Sequence, residues 1–169
     1  MASDRESLLD NYFKAIGMLV VAHTDLEGAM KAFANIMINQ HEKTGEILTA
    51  DLPFQPLKDK LVSLYCHFES DPEKSSRFRK LIEKASDLTG RRNEIIHSRW
   101  LLGPHSASKA APIRLKATAR MRGYRLEAER VELDGVKGIR TLIREIDATA
   151  MEIMETRAYW ESDHPNRNK

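Results

Sequence analysis

From Leu9 to Met37 the apolar side chains recur on one helical face, and no proline interrupts them. Leu9, Tyr12, Phe13, Ile16, Leu19, Val20, Leu26, Met30, Phe33 and Met37 follow this spacing, with His23 set among them. Ser3 stands three residues before Glu6, the arrangement of a capping box, and marks the start. Gly17 and Gly28 weaken the helix only locally. The pattern predicts one long helix, or two nearly collinear ones, ending near Gln40. A stripe this long has to be covered by other helices.

The remaining chain supplies them. After the segment "HEKTGEILTADLPFQP", read as a crossing with turn chemistry at both ends, a second helix follows Pro56, with Leu57, Leu61, Leu64, Tyr65 and Phe68 as its stripe. "ESDPEKSS" is a break. A third helix carries Phe78, Leu81, Ile82, Ala85, Leu88, Arg92, Ile95, Ile96 and Arg99 on one face. "GPHSASKAAP", 103 to 112, is a loop. The period then changes from helical to two. Ile113, Leu115, Ala117, Ala119 and Met121 alternate with basic or polar residues, and alternation resumes after Gly123, which predicts a hairpin over about 113–131. A last helix from about Gly138 should bury Ile139, Leu142, Ile143, Ile146, Ala150, Ile153, Met154 and Trp160. The expected fold is mainly all-α: one domain, 1–160, of four principal helices with a small β-hairpin before the last, and a frayed tail at 161–169.

Composition excludes several classes. With 169 residues, 41% hydrophobic and 31% charged, the chain can bury a core and is not of disordered type. A net charge of +2 is too small to announce a nucleic-acid binder. Cys66 is the single cysteine, so no internal disulfide forms. The N-terminus lacks the pattern of a signal peptide, and "AIGMLVVAH" falls far short of the roughly 20 apolar residues that span a bilayer. A cytoplasmic protein is expected.

The chemistry concentrates in "GRRNEIIHSRW", Gly90 to Trp100. Asn93 and His97 stand about one turn apart on one face, while Arg92 and His97 diverge by about 140° around the axis. One straight helix does not converge these two on a small group, but a second copy facing it across a two-fold axis does. This predicts a homodimer with Arg92 to Trp100 at or beside the two-fold. Imidazole exchanges protons near neutrality, its ordinary pKa being ~6.5. A guanidinium offers paired donors to phosphate oxygens. Together they suit attack of a ribose 2′-hydroxyl on its own phosphodiester, His97 moving the proton and Arg92 stabilising charge on the five-coordinate phosphorus. That reaction needs neither metal nor cofactor, and none is expected.

"RNEIIH" resembles the Arg–polar–three-to-five-residues–His motif of the HEPN superfamily, whose members are helical bundles with this motif late in a long helix. "RNEIIHSRW" is similar to the RN…H…W pattern of bacterial and phage-associated HEPN-like proteins. The resemblance implies a metal-independent RNA endonuclease of a toxin–antitoxin or phage-defence system, dimeric, with RNA as substrate and an antitoxin protein as a further partner. It implies Arg92 and His97 as the catalytic pair and Asn93 as the residue that orients them. Arg91, Arg99 and Trp100 flank the motif as candidate substrate contacts, Trp100 first of all as a packing residue. The sharp match covers six residues; the helical pattern extends it loosely over most of the chain, and the hairpin is an elaboration. Some members of the superfamily lack activity, so the alternative is a catalytically silent dimer that binds protein or nucleic acid.

Plainer readings compete. An arginine in an apolar stripe ordinarily packs its stem and keeps its head in water. A lone histidine beside an asparagine is more often structural than catalytic. Glu94 and His97 have the spacing of a di-iron ligand pair, but the other such pair, Glu161 and His164, lies in the tail beside Pro165. Cys66 and His67, as helix neighbours, point different ways. Arg114, Lys116, Arg120 and Arg122 form a basic strand face that can touch phosphates, though Glu127 and Glu129 can pair with it across the hairpin.

Overall fold

The computed structural model describes residues 2–38, 42–101, 113–120, 123–130 and 134–164, with side chains described over 10–38, 43–98 and 136–164. The chain is mostly helical. Its order is α1 (Ala2–Ile38), α2 (Glu42–Thr49), α3 (Phe54–Phe68), α4 (Pro72–Ile96), β1 (Arg99–Leu101), β2 (Ile113–Arg120), β3 (Gly123–Arg130) and α5 (Asp134–Asp163).

α1 is one continuous helix. It begins at Ala2, so Ser3 lies inside it; the side chains of the Ser3–Glu6 pair lie outside those described. The crossing segment after it is not simply a turn, because α2 occupies Glu42–Thr49. Tertiary contact explains this short helix. Gly45 lies so close to α1 that an added Cβ would meet the Asn35 side chain at 3.0 Å. The Thr49 hydroxyl donates to the Gly45 carbonyl at 3.0 Å and closes the last turn.

α3 starts at Phe54, ahead of Pro56, which sits in the first turn where no intrahelical N–H bond is lost. α4 begins within the segment read as a break. Asp71 caps it, accepting from the backbone N–H groups of Glu73 at 2.8 Å and Lys74 at 3.4 Å, and Pro72 fits the first helical position. α5 begins at Asp134 rather than near Gly138, and the segment expected to fray from Glu161 continues the helix through Asp163. Trp160 stays buried there and stacks on His164 with ring centres 3.8 Å apart.

α1 packs along α5 and α3, and α4 packs between α3 and α5, which places α1 and α4 on a diagonal. At one level all four long helices contribute to an aromatic cluster: Phe33, Tyr65, Phe78 and Trp160. Tyr65 stacks on Phe78 at 3.9 Å, and Phe33 meets both edge-on. Leu19, Leu26, Met30, Leu61, Ile82, Ile146 and Ile153 extend this core and are fully buried. Period and burial do not coincide everywhere. Phe13 is 54% exposed and Met154 49%, so these two members of the apolar stripes face outward.

β1, β2 and β3 form one antiparallel sheet in that order. β2 and β3 pair from Ile113↔Arg130 to Arg120↔Gly123, and β1 adds Arg99↔Leu115, Trp100↔Arg114 and Leu101↔Ile113. The expected loop at 103–112 lies outside the described residues. Among the described residues no helix is long and apolar enough to cross a membrane.

Candidate functional site

α4 delivers the motif at its C-terminal end. Its buried side runs through Phe78, Leu81, Ile82, Ala85, Leu88 and Thr89, and the next residue on that side is Arg92. An unpaired guanidinium is costly to bury, and Arg92 is accordingly only half-buried. Its Nη1 donates to Asn93 Oδ1 at 2.9 Å, while its Nε is buried with no acceptor among the described residues. Asn93 therefore contacts Arg92 directly. That contact holds one edge of the guanidinium and leaves a second donor unmatched.

The helix ends at Ile96, and His97 is its C-cap. The His97 backbone N–H still donates to the Asn93 carbonyl at 3.0 Å, which keeps it one turn above Asn93, and its side chain is exposed. The Ser98 hydroxyl donates to the Glu94 carbonyl and closes the turn. Arg92 and His97 share no direct contact; Arg92 faces the bundle and His97 faces solvent.

The flanking candidates separate. Arg91 is exposed and its guanidinium pairs with Glu145 on α5. Arg99 does not continue the helical face: the helix stops at Ile96, and Arg99 and Trp100 both belong to β1. Their side chains lie outside those described. Of the basic strand residues, register sets Arg114 opposite Glu129 and Lys116 opposite Glu127, while Arg122 lies outside the described residues. Glu161 and His164, the second pair of the di-iron spacing, lie at the far end of α5, beside the Trp160 cluster. Among the described residues no group of three or more His, Cys, Asp or Glu is placed to hold a metal ion.

One member of the site was hidden in the α1 stripe. His23 is 5% exposed, and its Nε2 lies 3.1 Å from Thr89 Oγ1 on α4, one turn before Arg92. The Thr89 hydroxyl donates its only proton to the Ala85 carbonyl at 2.9 Å. Its oxygen is then an acceptor, so His23 Nε2 carries the proton and Nδ1 is left bare. Nδ1 lies 3.9 Å from Glu27 Oε1. Burial pushes the His23 pKa below its ordinary value; the Glu27 carboxylate opposes this, and the nearby Arg92 cation adds to it. Burial thus favours the neutral imidazole, and the Arg92 cation lies near enough to favour it further. The signal available in sequence was a histidine in the middle of an apolar stripe, matched by a buried threonine in the stripe of another helix.

No family model, no curated protein and no solved structure matches this chain.

Proposed function

We propose that the chain is a metal-independent RNA endonuclease of toxin–antitoxin or phage-defence type, built as a HEPN-like bundle of four principal helices in which the β2–β3 hairpin before the last helix is an elaboration. The observation that carries this reading is the state of Arg92: half-buried and held by Asn93 through Nη1, five residues before an exposed histidine at the helix end. A guanidinium that is only half-buried keeps part of its charge and of its donors open to phosphate oxygens. An exposed imidazole is open to a ribose hydroxyl or a leaving oxygen.

In this mechanism His97 accepts the 2′-hydroxyl proton as that oxygen attacks the adjacent phosphorus, and a proton is delivered to the departing 5′-oxygen. The products are a 2′,3′-cyclic phosphate and a free 5′-hydroxyl. Arg92 stabilises the extra charge on the phosphoryl oxygens. The divergence of Arg92 and His97 on α4 favours a homodimer in which each copy's α4 terminus completes the other's cleft, with an antitoxin protein as the natural further partner. The catalytically silent dimer, a binding module for protein or nucleic acid, is the second reading. What favours it is the tie of Arg92 to its own Asn93 and of Arg91 to Glu145, which are the contacts of structural arginines.

The test is cleavage of labelled RNA by wild type, His97→Ala and Arg92→Lys with excess chelator. Loss in both variants, with cyclic-phosphate ends in the wild type, supports the enzyme. Equal cleavage in all three points to a contaminant and leaves the silent dimer.

A further inference from the structure

Between Phe13 and Val21 the outward side of α1 exposes several large apolar side chains. Phe13 is 54% exposed, Met18 58% and Val21 60%, with Val20, Gly17, Thr24 and Gly28 exposed beside them. A cluster of exposed large apolar side chains like this is normally covered by a partner. The outward residues also have an order. Phe13, Gly17, Val20, Thr24 and Gly28 follow one another at steps of three and four, the seam of a helix pair. An added Cβ on Gly17 or Gly28 would meet nothing within 4 Å, so both glycines are open notches in that seam.

We propose that this face seats a second copy of the chain, α1 against α1 antiparallel, across a two-fold axis passing between Val20 and Val21. About that point Phe13, Gly17, Thr24 and Gly28 map onto one another, and Val20 maps onto its neighbour Val21. Phe13 falls opposite the second copy's Gly28, Gly17 opposite its Thr24, and Val20 opposite its Val21, so each larger side chain meets a smaller one or its like. Charge agrees with this register. On the flank of the seam stand Lys14 and Asp25, both exposed, neither making an ion pair with any described residue. A two-fold axis lying in the contact plane keeps each flank on its own side, so Lys14 faces the second copy's Asp25. At ~1.5 Å per residue their offset along the axis is about 3 Å, well within reach of a lysine. α5 contributes Ile143 and Asp147 to the rim of the same groove.

This contact goes beyond the proposed catalytic reading and is separate from it. His23, on the other side of α1, faces Thr89 of α4, so pairing through the outward side leaves the α4 terminus uncovered. A cleft shared by two α4 termini is a second contact, read by RNA cleavage rather than by the charges of α1.

Sedimentation equilibrium of four proteins tests the proposal: wild type, Lys14→Glu, Asp25→Lys and the double exchange. Wild type is expected to associate at micromolar concentration, as dimers through α1 alone or as larger assemblies where the α4 contact also forms. Each single reversal places like charges together twice, once on either side of the axis, and should weaken the dimer about tenfold or more. The double exchange restores both pairs and should return the dissociation constant to within about threefold of wild type. Circular dichroism melts serve as the fold control, both residues being exposed. A monomeric wild type, four proteins that assemble alike, or singles that dissociate without recovery in the double would each overturn the proposal.

Discussion

Thr89 serves two partners with one hydroxyl, accepting from His23 and donating to the Ala85 carbonyl. Replacing it by valine keeps the shape and strands a buried imidazole N–H. Thr89→Val should cost about 1–3 kcal/mol in urea denaturation, the penalty of an unmatched buried donor; no loss would mean His23 finds another acceptor. The same histidine gives the fold a pH dependence of known sign. Its folded pKa lies below the unfolded value near ~6.5, so as pH falls the unfolded chain takes up the proton first. The His23 contribution is complete above about pH 7 and declines as pH drops through ~6.5 toward the folded pKa. His23→Gln should flatten that part of the curve between about pH 5 and 8, and parallel curves for the two proteins would contradict the assignment. Arg92→Lys belongs to this scale as well. An ammonium has no fixed pair of donors to hold Asn93 and a phosphate together, so the substitution should remove most cleavage while preserving the charge.

At the scale of elements, α4 is the part on which the site depends, and its start is set by Asp71. Asp71→Ala removes the acceptor for two free backbone N–H groups and should cost about 1 kcal/mol, read as a lower urea midpoint; an unchanged midpoint would mean the cap contributes nothing. The long helices were legible because each carries a helical apolar period over many residues. α2 and β1 were not. α2 holds Gly45 and two threonines, Ile47 and Leu48 are exposed, and the close fit of Gly45 on Asn35 is a contact no local pattern reveals. β1 is three residues long, and Arg99 continued the spacing of Ile95 and Ile96 closely enough to be read as more helix. The motif itself stood out as three polar residues at the end of an apolar stripe. His23 did not, because one polar residue among many apolar ones has no meaning until Thr89 is brought to it from another helix.

For the whole molecule, the aromatic cluster joins four helices far apart in sequence, and Phe78 touches two of its members. Phe78→Ala should therefore cost about 3–5 kcal/mol, measured by chemical denaturation. The bundle thus has an aromatic level and, further along toward the end of α4, a polar level with the His23–Thr89 and Arg92–Asn93 pairs. Two outward features remain on different sides of it: the apolar face of α1 and the exposed His97. The proposed RNA cleavage depends most heavily on the second. The most direct measurement is the cleavage of an end-labelled RNA by purified wild type and His97→Ala in excess chelator, with the same RNA carrying 2′-O-methyl at the cut position as the control. Wild type should cut the unmodified RNA to a 2′,3′-cyclic phosphate and spare the methylated one, and His97→Ala, still folded, should cut neither. Undiminished cleavage by His97→Ala, or cleavage of the methylated RNA at the same position, would contradict the account.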